Sequence, residues 1–167
     1  FTGAAMSLMG AYWQGNSFSS QTAFFDNVSV DATTNAFVTT WRPGGTNTSL
    51  TIPTTGAGYN YDVYRQDLTT ATTAIASLAA QTGNATFLGL TASSSYRIFI
   101  TGTFPRIFFN NGTEAAKLST IDNWGNNAWT SMASAFYGCA NLWSTPTLTP
   151  NLSSVTDLSS MFRGCIV

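Results

Sequence analysis

Phe136-Tyr137-Gly138-Cys139 returns as Phe162-Arg163-Gly164-Cys165 after 26 residues, and the stretch between the copies keeps the same register. At that offset Trp129 falls on Val155, Met132 on Leu158 and Ser134 on Ser160, so apolar positions meet apolar positions. A fixed period of roughly 20 to 50 residues marks a stacked array, in which one unit cannot bury its own apolar face and relies on the next. The C-terminal part of the chain is therefore constrained to a layered arrangement. The second copy closes just before Val167, and a further unit is expected after it.

Each unit is expected to run as a short strand followed by a short helix. Leu118-Ser119-Thr120-Ile121 supplies the first strand, after the strand Arg106-Ile107-Phe108-Phe109 and the turn Asn110-Asn111-Gly112. Trp129, Met132 and Phe136 are spaced i, i+3 and i+7, as are Val155, Leu158 and Phe162, which puts each trio on one helix face. Asn126 or Asn127 is placed to cap the first helix and Ser153 or Ser154 the second. Gly138 and Gly164 stand where the chain leaves the helix and a positive φ is needed. Trp124, Trp129 and Trp143 suit a first unit whose bulk shields the end of the stack.

Upstream of the repeat, short β-rich runs arrive at close spacing: Phe37 to Trp41, Ser49 to Pro53, Tyr59 to Tyr64, Ala85 to Leu90 and Tyr96 to Phe104. Turn signals separate them at Pro43-Gly44-Gly45, Gly56-Ala57-Gly58 and Gly83-Asn84, a pattern of antiparallel sandwiches. Tyr96, Ile98 and Ile100 fall on one face of the last run, Arg97 and Phe99 on the other. Thr69 to Ala80 reads as a strand-and-loop insertion or one short helix, the first being favoured. Strands are also expected at 11–13 and 22–30. This divides the chain into the last strands of an upstream β domain (1–31), a sandwich (32–104), and the cap and first units of the array (105–167).

These segments carry resemblances. Ser154-Val155-Thr156-Asp157-Leu158-Ser159-Ser160-Met161-Phe162-Arg163-Gly164-Cys165 resembles the BspA-type leucine-rich repeat, whose units read roughly N-V-T-D-M-S-S-M-F-x-G-C. The stretch from Phe37 to Phe109 is similar to the PKD-type immunoglobulin-like module that precedes such repeats in bacterial surface proteins. Arg65-Gln66-Asp67-Leu68 stands where those modules usually carry W-G-D-G, and Phe87-Leu88-Gly89 where they carry H-T-Y. Phe24-Phe25-Asp26-Asn27-Val28-Ser29-Val30 resembles the closing strand of carbohydrate-binding jelly rolls, although a plain terminal β-strand with a polar Asp-Asn step is the favoured reading. The fold class expected is mainly β: an immunoglobulin/PKD-like sandwich followed by the start of a leucine-rich-repeat solenoid.

Much chemistry is excluded by composition. The chain has no histidine, which removes Ser-His-Asp and Cys-His catalysis and histidine zinc sites. No acids are spaced as a calcium loop, no phosphate-binding glycine motif occurs, and no cofactor is expected. Charged residues make up 8 % of the chain against about 25 % in typical soluble domains, and the six basic ones are scattered singly. Nucleic-acid binding, which needs a basic stripe, is not expected. No apolar run is long enough to span a membrane. The opening Phe1 is read as an internal position, so any export signal or anchor would lie outside this sequence.

Cys139 and Cys165 occupy equivalent repeat positions, about one strand spacing apart (roughly 4.8 Å) and within disulfide reach, but side chains on neighbouring rungs point in parallel. A buried ladder of free thiols is favoured over a disulfide. Tyr59, Tyr61 and Tyr64 with Trp41 could form a sugar-stacking platform, though pairs such as Tyr59 and Tyr61 more often pack across a sheet. Five Asn-x-Ser/Thr sequons begin at Asn27, Asn47, Asn84, Asn111 and Asn151, as expected by chance in this composition.

The function expected is a non-catalytic adhesion or display module, extracellular or on a cell surface. Binding of a protein or glycan on host, matrix or cell surfaces is what the resemblance to BspA-like proteins implies. One alternative is a phage or virus fibre protein on a virion surface. The other is the accessory carbohydrate-binding region of a secreted enzyme, resting on residues 11–30 and on Trp13 and Phe24. Self-association is compatible with each.

Overall fold

The computed structural model describes residues 35–46, 48–70 and 75–166. The upstream domain expected over 1–31, including Trp13 and Phe24, and the sequons at Asn27 and Asn47 lie outside the described residues.

The protein is mainly β, with antiparallel sheets. Among the described residues seven strands form in chain order: β1 (Phe37–Trp41), β2 (Leu50–Ile52), β3 (Asn60–Asp67), β4 (Ile75–Gln81), β5 (Ala85–Phe87), β6 (Tyr96–Thr103) and β7 (Leu118–Asn123). Five make one sheet in the order β4-β3-β6-β1-β7, and β2 pairs with β5 in a second. The two sheets face each other across one apolar core that holds Phe37 and Trp41 of β1, Leu50 and Ile52 of β2, and Ile98 and Ile100 of β6. That is the arrangement of a sandwich.

Alternation along β6 explains its place at the centre. Tyr96, Ile98 and Ile100 enter the core, while Phe99 joins Ala36, Val38 and Tyr64 in a second buried cluster on the opposite face of the sheet. A period of two allows nothing else once one face is buried. The Thr69 to Ala80 stretch resolves at its end into β4, an edge strand antiparallel to β3, rather than a helix. Its Ala and Ser content suits an edge, where one side of the backbone remains with solvent.

Beyond residue 104 the sheet continues, because β7 pairs antiparallel with β1 and closes the other edge. Between β6 and β7 the strand expected at Arg106 to Phe109 does not form. Its N–H groups diverge instead: Phe108 donates to Pro53 O at 3.1 Å and Phe109 to Ala135 O at 3.0 Å, so no single neighbour can run a ladder along it. One 3-10 turn, Ala115–Lys117, follows. It seats the buried Lys117 ammonium on Glu114 Oε1 at 2.6 Å and Ser49 O at 3.0 Å, while Glu114 Oε2 accepts from Thr51 N–H at 2.8 Å. This ion pair ties the segment before β7 to β2.

Candidate functional site

The repeat builds stacked turns, and the two helices expected at 129–136 and 155–162 are absent. Turn A spans 105–112, turn B 129–139 and turn C 155–165. Four N–H groups of turn B donate forward to turn C: Met132 to Asp157 O, Ser134 to Ser159 O, Phe136 to Met161 O and Gly138 to Arg163 O, at 2.8 to 2.9 Å. The intervening N–H groups bond within the turn, Ala135 to Met132 O, Tyr137 to Ser134 O and Cys139 to Phe136 O, and turn C repeats this at Met161, Arg163 and Cys165. A helix would need all these donors for its own i−4 carbonyls.

Backbone conformation makes the same choice. Ser134 and Ser160 take φ of 53° and 55°, and Gly138 and Gly164 take 82° and 76°, so each copy turns left-handed at the same two places. A left-handed residue inside the expected helix stops it, since αL residues occur singly and not in helical runs. The positive φ expected at Gly138 and Gly164 is present, but it shapes a turn and caps no helix. Nor do Asn126, Asn127, Ser153 and Ser154 serve as caps; Ser153 N–H donates to Asn151 Oδ1 at 3.1 Å.

Repeat positions divide by turn. Trp129, Met132, Phe136 and Cys139 are fully buried and belong to the sandwich core, which therefore runs unbroken into turn B. Val155 and Cys165 are half-buried, while Leu158 is 52 % exposed and Phe162 42 %. The repeat predicts Phe162 in the core as Phe136 is; instead it and Leu158 keep part of their side chains in solvent at the rim of turn C. The N–H groups of Leu158, Ser160, Phe162 and Gly164, equivalent to the four forward donors of turn B, have no acceptor among the described residues. Turn C thus ends in a row of open donors beside an apolar groove of about 570 Å³ bounded by Trp124, Leu148, Leu152, Leu158, Met161 and Phe162.

The strand side of the unit is equally compact. Ser144 pairs in parallel with Thr120 of β7, and Ile121 N–H donates to Ser144 O at 3.0 Å. Trp143, one residue earlier, donates its N–H to Ser119 O at 3.0 Å yet leaves its side chain 66 % exposed. Trp124 and Trp129 are buried as a shield would be, and Trp143 is not.

Both cysteines are free thiols. Cys165 Sγ–H donates to Phe136 O at 3.3 Å, across the step between turns. Burial pushes the Cys139 thiol well above the ordinary range, with the neighbouring Cys165 adding to it, and burial raises Cys165 against an opposing backbone hydrogen bond from Cys139. Neither is activated as a nucleophile, which would need the opposite shift. Asp157 moves the other way, its carboxylate held low by hydrogen bonds from Ser159.

The aromatic platform weighed from sequence is a packing cluster. Trp41, Tyr59 and Tyr61 lie in the main core and Tyr64 in the second cluster. Tyr59 Oη–H donates to Arg106 O at 2.9 Å and Tyr61 Oη–H to Gly83 O at 2.7 Å, so both polar tips are satisfied and their ring faces are taken. Among the described residues no three acids or cysteines converge to hold a metal ion. No helix among them is long and apolar enough to cross a membrane. The chain matches no family model, no curated protein and no solved structure.

Proposed function

We propose that this chain is a non-catalytic adhesion or display module working outside the cell. In this reading the sandwich is an immunoglobulin/PKD-like base, and turns B and C begin a leucine-rich-repeat array that presents a surface to a protein or glycan on another cell or matrix. The observation that carries it is the stack itself. Successive copies of one 26-residue unit repeat the same left-handed positions and dock on each other through a regular row of backbone bonds. Such a framework spends its conserved geometry on shape and leaves variable side chains on the surface.

The resemblance of residues 154–165 to BspA-type repeats supports the same reading. So does the composition, in which Thr, Ser, Asn and Gly take the solubilising role of charge. The test is a pull-down with the immobilised 167-residue chain against bacterial and animal cell-surface fractions, matrix glycoproteins and a glycan array. Saturable retention of at least one class of surface molecule is expected. Failure to retain any of them would sink the reading.

A further inference from the structure

We infer that the groove beside Trp143 is a binding site for an acidic saccharide, a pyranose carrying a carboxylate. This deepens the proposed adhesion function and rests on it. The groove encloses about 660 Å³ between Trp143, Arg42, Asn141, Thr40, Ser119 and Thr120, a size within the range of small-ligand sites and enough for one or two sugar rings.

Trp143 is exposed and yet held. Its own N–H is bonded to Ser119 O, and Ser144 after it is locked to β7. Trp41, Trp124 and Trp129 are all buried, so Trp143 is the described tryptophan whose ring remains for a ligand. An indole on a fixed backbone offers a flat apolar face at little entropic cost, and the C–H face of a pyranose is its complement.

The rim supplies polar partners. Thr40 and Thr120 hydroxyls both donate to Asp122, each at 2.6 Å, which leaves their oxygens as acceptors. Asn141 donates its amide N–H to Ala116 O at 2.6 Å, which orients the amide and leaves Oδ1 to accept from a sugar hydroxyl.

Charge selects the class of sugar. Five of the six basic side chains are engaged: Arg65 over Phe87 and Tyr96, Arg97 beside Asp122, Arg106 over Phe108, Lys117 on Glu114 and Arg163 over Tyr137. Among the described residues Arg42 alone has neither a ring nor a carboxylate; its guanidinium donates there to Ser95 Oγ at 3.3 Å. A guanidinium fork matches a carboxylate in two parallel hydrogen bonds. With an indole in the same groove, that specifies a uronic or sialic acid over a neutral sugar. A phosphate polymer would call for several cations here, and there is one.

The experiment is titration calorimetry with saturation-transfer NMR on the 167-residue chain, using glucuronic acid and N-acetylneuraminic acid against glucose and galactose. Binding of the acidic sugars near millimolar Kd is expected, with transfer to the pyranose C–H face. Trp143→Ala should weaken it about tenfold with the β-sheet circular dichroism unchanged, since the ring is mostly exposed. Arg42→Gln should bring acidic and neutral sugars to about equal affinity. Equal binding of both sugar types by the unaltered chain, no binding of the acidic sugars, or binding that survives both substitutions would each overturn the site. If the chain still captured surface molecules equally with and without Trp143, the adhesion function would stand on another surface and this inference would fall.

Discussion

The ring of Phe162 lies 5.3 Å from that of Phe136 and within 11° of parallel, so two residues separated by one repeat stack face to face. They do not contribute equally. Phe136 is buried on all sides and also meets Phe109 and Trp124, whereas Phe162 has one face in contact and the other in solvent. Phe136→Ala should cost about 3–5 kcal/mol, and Phe162→Ala about 1–2 kcal/mol, in urea unfolding. Equal losses would mean that turn C is as well covered as turn B.

The two repeat glycines should separate in the same direction. A Cβ on Gly138 would collide with Asn111, its backbone included, while one on Gly164 would rest against Gly138 Cα at an ordinary 3.5 Å. Both alanine variants meet the left-handed penalty of about 1–2 kcal/mol. Gly138→Ala should exceed it clearly, because turn A must move; thermal unfolding of the pair measures the difference.

Amide exchange should follow the same polarity. Met132, Ser134, Phe136 and Gly138 donate to carbonyls of turn C, and their equivalents Leu158, Ser160, Phe162 and Gly164 have no acceptor among the described residues. Hydrogen exchange by NMR should find the first four protected by several orders of magnitude and the second four near unfolded-chain rates. Protection of the second set would show the row of donors to be closed.

Glu114 and Lys117 form the pair that joins the turn before β7 to β2. Lys117→Met should be tolerated better when Glu114 is also replaced by Gln. Glu114→Ala alone should cost about 3–5 kcal/mol, because it strands a buried ammonium. A double-mutant cycle in urea gives the coupling, and additive losses would contradict the burial argument.

The thiols set an alkaline limit. Burial holds Cys139 protonated in the folded chain far beyond the ordinary thiol pKa of about 8.5. The folded state therefore keeps a proton that the unfolded state releases as pH rises. The contribution is whole at neutral pH and is lost progressively above about pH 8.5. Tyr61 and Tyr64, raised mainly by burial, add the same sign at higher pH. Unfolding titrations at rising pH should show a shallower decline for Cys139→Ala than for the unaltered chain. Iodoacetamide should label half-buried Cys165 well before Cys139.

Strand content was legible from residues 37 to 104 because alternation reports which face is buried. β6 follows that pattern residue by residue, and β1 and β2 lie within the expected runs. The 26-residue period was legible too, down to the positions of positive φ at Gly138 and Gly164. The conformation between those glycines was not. Trp129, Met132 and Phe136 at helical spacing are three buried residues in a left-handed turn, because spacing records which side chains face inward and not the path between them. Ser134 and Ser160 carry no local signal strong enough to announce φ above 50°.

By itself, then, the sequence determined the β-rich class, the repeat and the absence of histidine chemistry, all of which are properties of residue type and spacing. Tertiary structure decided what spacing cannot encode: that β7 completes the sandwich sheet, that turn B shares its core while turn C lies at the edge, and that Trp143 is left in solvent in the same groove as Arg42. The physical reason is that backbone N–H groups in the repeat have two possible acceptors, four residues back or one repeat ahead. Only the packed neighbouring turn tips that choice.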